Sequence, residues 1–354
     1  MRACLSVGPW CAHPYTEAMK SAVLGNVEYE PASLRDAIAV DDVVAASTRI
    51  GVEAQRYLSQ GTDNAVVSPA SLMMAFGMLA EGANDAAAEE LDTWLGATGE
   101  DRTRALSALQ ESVRKFDGDP SAVQEDELPE VPLLHLANQV TVREGGGVKE
   151  EFLNTLSRWY DAGVGDADFT TPAAKGALDE WVNRHTGGLI EESAIEPDVR
   201  TFAVIQNALL MEARWENPLD PNNTRPTDFS LLDGSTVETD SMTHMVEAQY
   251  QDSEIGQVIR LRYTDGFAMD IVLPAPGTSP ESITAAHWSE ISEAFESEKL
   301  TEVDLRVPVL DGIMESDLWI DAVGHQAQLQ VDEEGTNGAT VTEIEVAETE
   351  SLRG

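Results

Sequence analysis

Basic residues are scarce in this 354-residue chain: 22 Lys and Arg stand against 64 Asp and Glu, a formal charge of -42 at pH 7. A surface so acidic repels phosphate backbones and argues against nucleic acid as a partner. It also gives anionic membranes no basic cluster to hold. The acids run along the whole chain, with only local densities such as Gln124-Glu-Asp-Glu, the pattern of a solvated surface and not of a disordered tail. Soluble proteins of salt-rich cells share this balance, and added salt should screen the repulsion and favour the compact state. Cysteine is nearly absent. Cys4 and Cys11 could pair, but that bridge would close a small terminal loop and constrain little. Free thiols are the simpler reading, and two cysteines without nearby ligands make no zinc site. No run of about 18 apolar residues occurs, so a transmembrane helix is not expected. The first residues, Met1-Arg-Ala-Cys-Leu-Ser-Val-Gly, lack the continuous apolar core of a secretory signal. A cytoplasmic location is therefore the default, and an extracellular role stays open. Catalytic motifs are missing too: there is no GxSxG, no HExxH and no phosphate-binding glycine loop. The six histidines, His13, His135, His185, His244, His287 and His325, show no ligand spacing. With 64 acids, carboxylate spacing carries no information on glycosidase chemistry. No enzyme, metal or cofactor is expected.

What is present is a normal 42% of hydrophobic residues, enough for a large core. Residues 1–45 are weakly patterned and read as a peripheral extension, with one domain over 46–354 and neither repeat nor linker. Asp42 to Leu58 reads as helical. Ser68-Pro69 sets an N-cap and a first-turn proline for an Ala/Met/Leu-rich helix toward Gly82. Further helices are predicted over Asp85–Leu95, Arg102–Phe116, Lys149–Tyr160, Ala174–Arg184 and Pro280–Glu296. Strands are predicted over Leu133–Val142, Thr201–Arg214, Gln257–Leu261, Phe267–Leu273 and Thr301–Val309, with Gly118–Val131 an acidic loop. Helices dominate the first half and strands the second, which points to an α+β fold with large antiparallel or mixed sheets.

The segment Val331-Asp-Glu-Glu-Gly-Thr-Asn-Gly-Ala-Thr-Val-Thr-Glu-Ile-Glu-Val346 stands apart. Thr336, Gly338, Thr340, Thr342, Ile344 and Val346 share one parity, and Glu343 and Glu345 fall on the other. In a strand the first set sits on a core and the acids face water. Two glycines among its first small residues weaken a permanent strand, so a segment able to be loop or strand fits. A plain polar edge strand is the competing reading.

Asn64-Ala-Val-Val-Ser-Pro-Ala-Ser-Leu-Met-Met-Ala, Ala86-Ala-Ala-Glu-Glu-Leu, Leu178-Asp-Glu-Trp-Val with Thr186-Gly-Gly-Leu-Ile, Asn207-Ala-Leu-Leu-Met-Glu-Ala-Arg-Trp, Thr224 and Phe229, Met242 and Tyr250, Met269-Asp-Ile-Val-Leu-Pro, Val307-Pro-Val-Leu and Glu333-Glu-Gly-Thr follow in one order. In these motifs, over roughly residues 50–346, the chain resembles the serpin family of serine-protease inhibitors, with an acidic, prokaryotic-type character. The resemblance implies a serpin fold: a large central sheet, two further sheets, about eight or nine helices and a reactive-centre loop near the end of this chain. It implies a suicide-substrate mechanism against serine, or also cysteine, proteases. The protease forms an acyl-enzyme, and the upstream loop enters the large sheet as a new strand.

On that template Glu333, Glu334, Gly335, Thr336, Gly338, Thr340 and Thr342 form the hinge, with glycine at 338 where alanine is usual nearby. Ser68, Ser71, Asn207 and His325 form a polar cluster under the opening strands, the shutter. Trp215 marks the breach where the loop first enters. A surface strand position for His325 and plain core packing for Trp215 are the alternatives. Family spacing of sixteen residues from Glu333 gives Thr349 before the scissile bond and Glu350 after it, while Arg353-Gly354 is the chemical alternative for a trypsin-like pocket. After Val307-Pro-Val-Leu only Asp311-Gly-Ile-Met-Glu-Ser precedes Asp317-Leu-Trp-Ile, shorter than the family's helix and connecting strands. The family's C-terminal strands do not follow Gly354, which fits either a truncated sequence or a separate fragment after loop cleavage; a cleaved form with the loop inserted and its own C-terminal fragment separate is the favoured expectation. The expected partner is a target serine protease, and the expected state a monomer. A non-inhibitory serpin-like binding or structural protein is the alternative from a different class.

Overall fold

The computed structural model describes residues 27–59, 64–125, 127–296, 299–320 and 322–347. Seven α-helices occur among them: α1 (Val40–Ser59), α2 (Pro69–Gly82), α3 (Asp85–Leu95), α4 (Gly99–Val113), α5 (Glu150–Tyr160), α6 (Pro172–His185) and α7 (Ala285–Ala294). The strands are β1 (Leu133–Arg143), β2 (Gly163–Ala167), β3 (Thr201–Arg214), β4 (Arg225–Ser230), β5 (Thr236–Ser253), β6 (Gly256–Arg262), β7 (Ala268–Pro274), β8 (Thr301–Pro308), β9 (Leu310–Ile320), β10 (Val323–Val331) and β11 (Gly335–Ala347). Helix α1 begins at Val40, so the boundary expected at 45/46 falls inside it.

Helix α2 forms because Ser68 accepts the N–H of Ser71 and proline occupies the first turn, where its missing N–H costs nothing. It is apolar on nearly all sides and buries Leu72, Met73, Met74, Ala75 and Met78, so it can only live inside. It lies against β3 and β11. The six-stranded sheet runs β2-β1-β3-β11-β10-β9. Its helix-packed face joins Val140, Val142, Ala203, Ile205 and Ile344 to residues of α1, α2, α4 and α5. The opposite face packs Ala208, Leu210, Ala339 and Val341 on Trp181, Val182 and Ile190. Both faces of β3 are therefore covered, which is why its sequence reads as a long apolar run.

Where three sheets are expected, the described residues form two. Strand β5 is long enough to serve two ladders: its first part pairs with β4 and β8, and residues 249–253 pair with β6. One strand thus joins what would otherwise be separate sheets, giving a five-stranded whole. The short segment 311–316 is not a connection but part of β9, so the chain passes from β8 into the large sheet with Val309 alone between them. The predicted helix over 280–296 is divided into a single turn at Pro280–Ser282 and α7, because Thr284 caps α7 through a reciprocal box with His287. No described helix is long and apolar enough to cross a membrane.

Candidate functional site

The segment read as loop or strand contains strand β11, and it is not an edge strand. It pairs antiparallel with β3 from Gly335↔Arg214 to Val346↔Ala203, and with β10 from Thr336↔Val331 to Ile344↔Val323. A strand with partners on both sides has its backbone donors and acceptors satisfied.

Its start is tied down by the Asp332–Gly335 turn. Asp332 Oδ1 accepts the N–H groups of Glu334 (2.8 Å) and Gly335 (3.1 Å). The carbonyls of Glu334 and Glu333 accept the N–H groups of Trp215 (2.9 Å) and Leu219 (2.8 Å), and the Glu333 carboxylate accepts the hydroxyl of Thr224. Trp215 also donates its indole N–H to the Asp332 carbonyl at 2.9 Å and stacks on Tyr263, centroids 4.1 Å apart at 9°. Trp215 is buried core and a contact of this turn at once. Gly335 is needed for space: a Cβ there would lie 2.1 Å from the Ala213 carbonyl. At Gly338 a Cβ would meet the Gln328 carbonyl at 2.9 Å, so glycine gives the tighter fit here.

Thr336, Thr342 and Ile344 are buried on the α2 side of the sheet, as the parity predicts, and Thr340 is buried as well. The hydroxyl of Thr336 is hydrogen-bonded to the Tyr263 phenol, whose pKa burial pushes up, keeping it protonated. Thr342 meets the predicted polar cluster. Its Oγ1 is 2.7 Å from Ser71 Oγ and 2.8 Å from His325 Nδ1. The Ser68 N–H donates to His325 Nε2 at 3.1 Å, so the ring proton resides on Nδ1 and is donated to Thr342. Burial lowers the His325 pKa to about 4, which keeps the ring neutral at pH 7. His325 is fully enclosed, not a surface histidine. Asn207 is opposite Thr342 in the ladder but hydrogen-bonds elsewhere, donating to Asn138 Oδ1 at 2.8 Å. The fourth member of the expected cluster therefore belongs to the neighbouring Asn138–Gln110 network.

The expectation that Glu343 faces water is wrong, and Glu345 is half-buried. Helix α6 and the segment after it cross the outer face of β11, and Glu343 is 0% exposed. Its carboxylate accepts from Ser193 Oγ (2.6 Å), Ala194 N–H (2.6 Å) and Gln206 Nε2 (2.8 Å). Glu345 accepts from Thr201 Oγ1 at 2.5 Å. Burial lifts the Glu343 pKa above the ordinary carboxylate value, opposed by those hydrogen bonds and by Lys175. Nothing in the sequence marks Ser193 as a partner. Gln206, a polar residue within the apolar run of β3, was the one visible signal. Two of the histidines meet in space although the sequence separates them by 50 residues. His135 and His185 stack with Nε2 and Nδ1 2.9 Å apart, and Asp117 is 2.7 Å from His135 Nδ1. No group of three or more metal-ligating side chains occurs among the described residues. The reactive-site candidates Thr349, Glu350, Arg353 and Gly354 lie outside the described residues, as do Cys4 and Cys11.

Comparison with known proteins agrees with this architecture. Residues 45–311 match the family described as Serpin (serine protease inhibitor). Serpin-Z7 of barley (Hordeum vulgare) is 30% identical over 84% of this chain and 85% of its own length. Among solved structures, cleaved kallistatin complexed with heparin superposes with a TM-score of 0.75 at 18% identity, over 87% of this chain and all of its own (100%). Reactive-loop-cleaved human thyroxine-binding globulin gives 0.72 at 20%, over 87% of this chain and 99% of its own. The chain belongs to the serpin family, whose members are in general not catalysts. The prokaryotic type the resemblance suggested is overturned: similar sequences come from barley, wheat, cattle and Arabidopsis. Surface charge follows solvent and partners, and it does not carry ancestry.

Proposed function

We propose that this chain is a conformationally switching serpin of the binding or scaffold kind. Its loop is offered to serine proteases, is cut, and enters the large sheet as β11 without efficiently trapping the enzyme. One observation carries this reading: Glu343 has to bring a carboxylate from water to a fully enclosed position midway along the strand. Desolvating a charge costs several kcal/mol before its hydrogen bonds form, which slows insertion relative to deacylation. Glu333, Glu334, Gly335, Thr336, Gly338, Thr340 and Thr342 act as the hinge, Trp215 as the breach contact, and Ser68, Ser71 and His325 as the gate beneath the strands, with Asn207 in the polar network beside it.

Suicide inhibition is the second reading, favoured by the unbroken pairing of β11 on both sides. In it the same insertion outruns hydrolysis of the acyl-enzyme and displaces the protease. Both readings hold the protein's stability in a kinetic barrier that cleavage releases. The partners are a serine protease and the chain's own C-terminal fragment, and the protein works as a monomer.

The test is a panel of serine proteases of different pocket preference at neutral pH, followed by denaturing gels. Clean cleavage without a covalent adduct is the expected result. An SDS-stable adduct overturns the scaffold reading in favour of inhibition. Mass spectrometry of the products decides between cleavage after Thr349 and after Arg353.

A further inference from the structure

The polar groups around Glu343 are held in place without it. Ser193 N–H donates to Asp179 Oδ1 at 2.8 Å, and Lys175 Nζ donates to the Ser193 carbonyl at 3.2 Å, so the segment is pinned to α6 on both sides of this residue. Ser193 Oγ accepts the N–H of Ile195 at 3.1 Å, which leaves its proton free to point at β11. Ala194 N–H and Gln206 Nε2 converge on the same place from the segment and from β3. Three donors aimed at one spot, with no acceptor of their own from that side, form a receptor for a carboxyl group.

We propose that Ser193, Ala194 and Gln206 are a carboxylate receptor that reads Glu343 and fixes the register and depth at which the 335–347 segment enters the sheet. This rests on the reading that the segment inserts. A slip of one residue would turn every side chain to the wrong face. A slip of two that set Val341 at the receptor would leave three buried donors without a partner. Glu345, received separately by Thr201, adds a second fixed point, so the two acids together admit one register. Glu343 is thus a positioning residue.

The same geometry links insertion to protons. The charged groups around the receptor are Lys175 and Asp179 on α6, and Glu192 and Glu196 on the segment that follows; β3 contributes the neutral Gln206. With the carboxyl of the inserted form held above its ordinary value, a protonated Glu343 favours insertion. That advantage is full below the ordinary value and is lost as pH rises through the inserted-state value.

The experiment cuts the loop by limited proteolysis and follows thermal unfolding and hydrogen exchange of residues 335–347, in wild type, E343A, E343Q and S193A, across pH. Wild type should gain heat resistance and protect these amides. E343A and S193A should exchange about tenfold faster there, as loss of a hydrogen bond to a buried charged group implies. E343Q should insert with a flatter pH profile than wild type. If cut wild type neither gains heat resistance nor protects the strand, insertion itself fails and the receptor proposal with it. If wild type inserts but all three variants match it in protection and pH profile, the receptor proposal alone is overturned.

Discussion

The phenol of Tyr263 is hydrogen-bonded to the hydroxyl of Thr336, 73 residues further along the chain. The contact is buried, with Thr336 5% and Tyr263 3% exposed, and it forms where β11 begins. Thr336→Arg should therefore leave the uncut protein folded and stop the strand from entering, since an unpaired guanidinium there bears a desolvation cost of several kcal/mol. Thermal unfolding before and after loop cleavage checks this: the variant should show little or none of the wild-type gain.

Gly335→Ala should act more mildly at the neighbouring position. The added methyl meets the Ala213 carbonyl, part of the β3 backbone, which cannot move aside without breaking the ladder. Overpacking of this kind costs about 1–3 kcal/mol. The cut variant should unfold at a lower temperature than cut wild type, while the uncut forms agree.

Thr342→Val keeps the shape of the side chain and removes the hydroxyl between His325 and Ser71. Two buried polar atoms then lose their partner, a loss of roughly 1–3 kcal/mol each at most. Denaturant unfolding of the cut form should show the deficit. The paired variant Thr342→Val with Ser71→Ala should recover part of it, because one orphaned group has gone.

His325 sets a pH dependence whose sign follows from its lowered value of about 4. Between the ordinary histidine value near 6.5 and about 4, the unfolded chain binds a proton that the folded ring refuses. Stability of the cut form relative to His325→Gln should then fall as pH drops through this window, by on the order of 3 kcal/mol in total, and level off below it. Glu212, pushed up to about 7 by burial and by Glu125, titrates in wild type and variant alike and cancels in the difference. A constant difference across the window would contradict the buried neutral ring.

The parts of the fold legible in the sequence are those where one residue type dominates a surface. Helix α3 and strand β3 have the predicted bounds, because Gly96 ends the one in a left-handed turn and continuous burial marks the other. Strand β5 was not legible. Its Thr, Glu and Asp positions up to Asp240 are largely exposed, so no apolar alternation appears over that stretch. Strand β2 is not legible in the sequence because two of its five residues are glycine. In β11 the even positions were read correctly from parity. The odd ones were not, because parity tells which residues share a face but not what covers that face. The cover is α6 and Ser193–Thr201, distant in sequence and supplied only by the tertiary structure.

Strand β11 occupies the fourth place in a row of six, between β3 and β10. If it enters as proposed, β3 and β10 must part to admit it, and while they are parted their facing flanks offer a template to any extended peptide, including a segment from a second molecule. Once it is seated that template is gone, and among the described residues the outer strands of this sheet are β2 and β9. Seating the strand is thus a chain-terminating event in the vocabulary of assembly. The molecule surrenders its most receptive template for cross-molecule pairing, and a population driven to this state should resist aggregation on heating as well as unfolding.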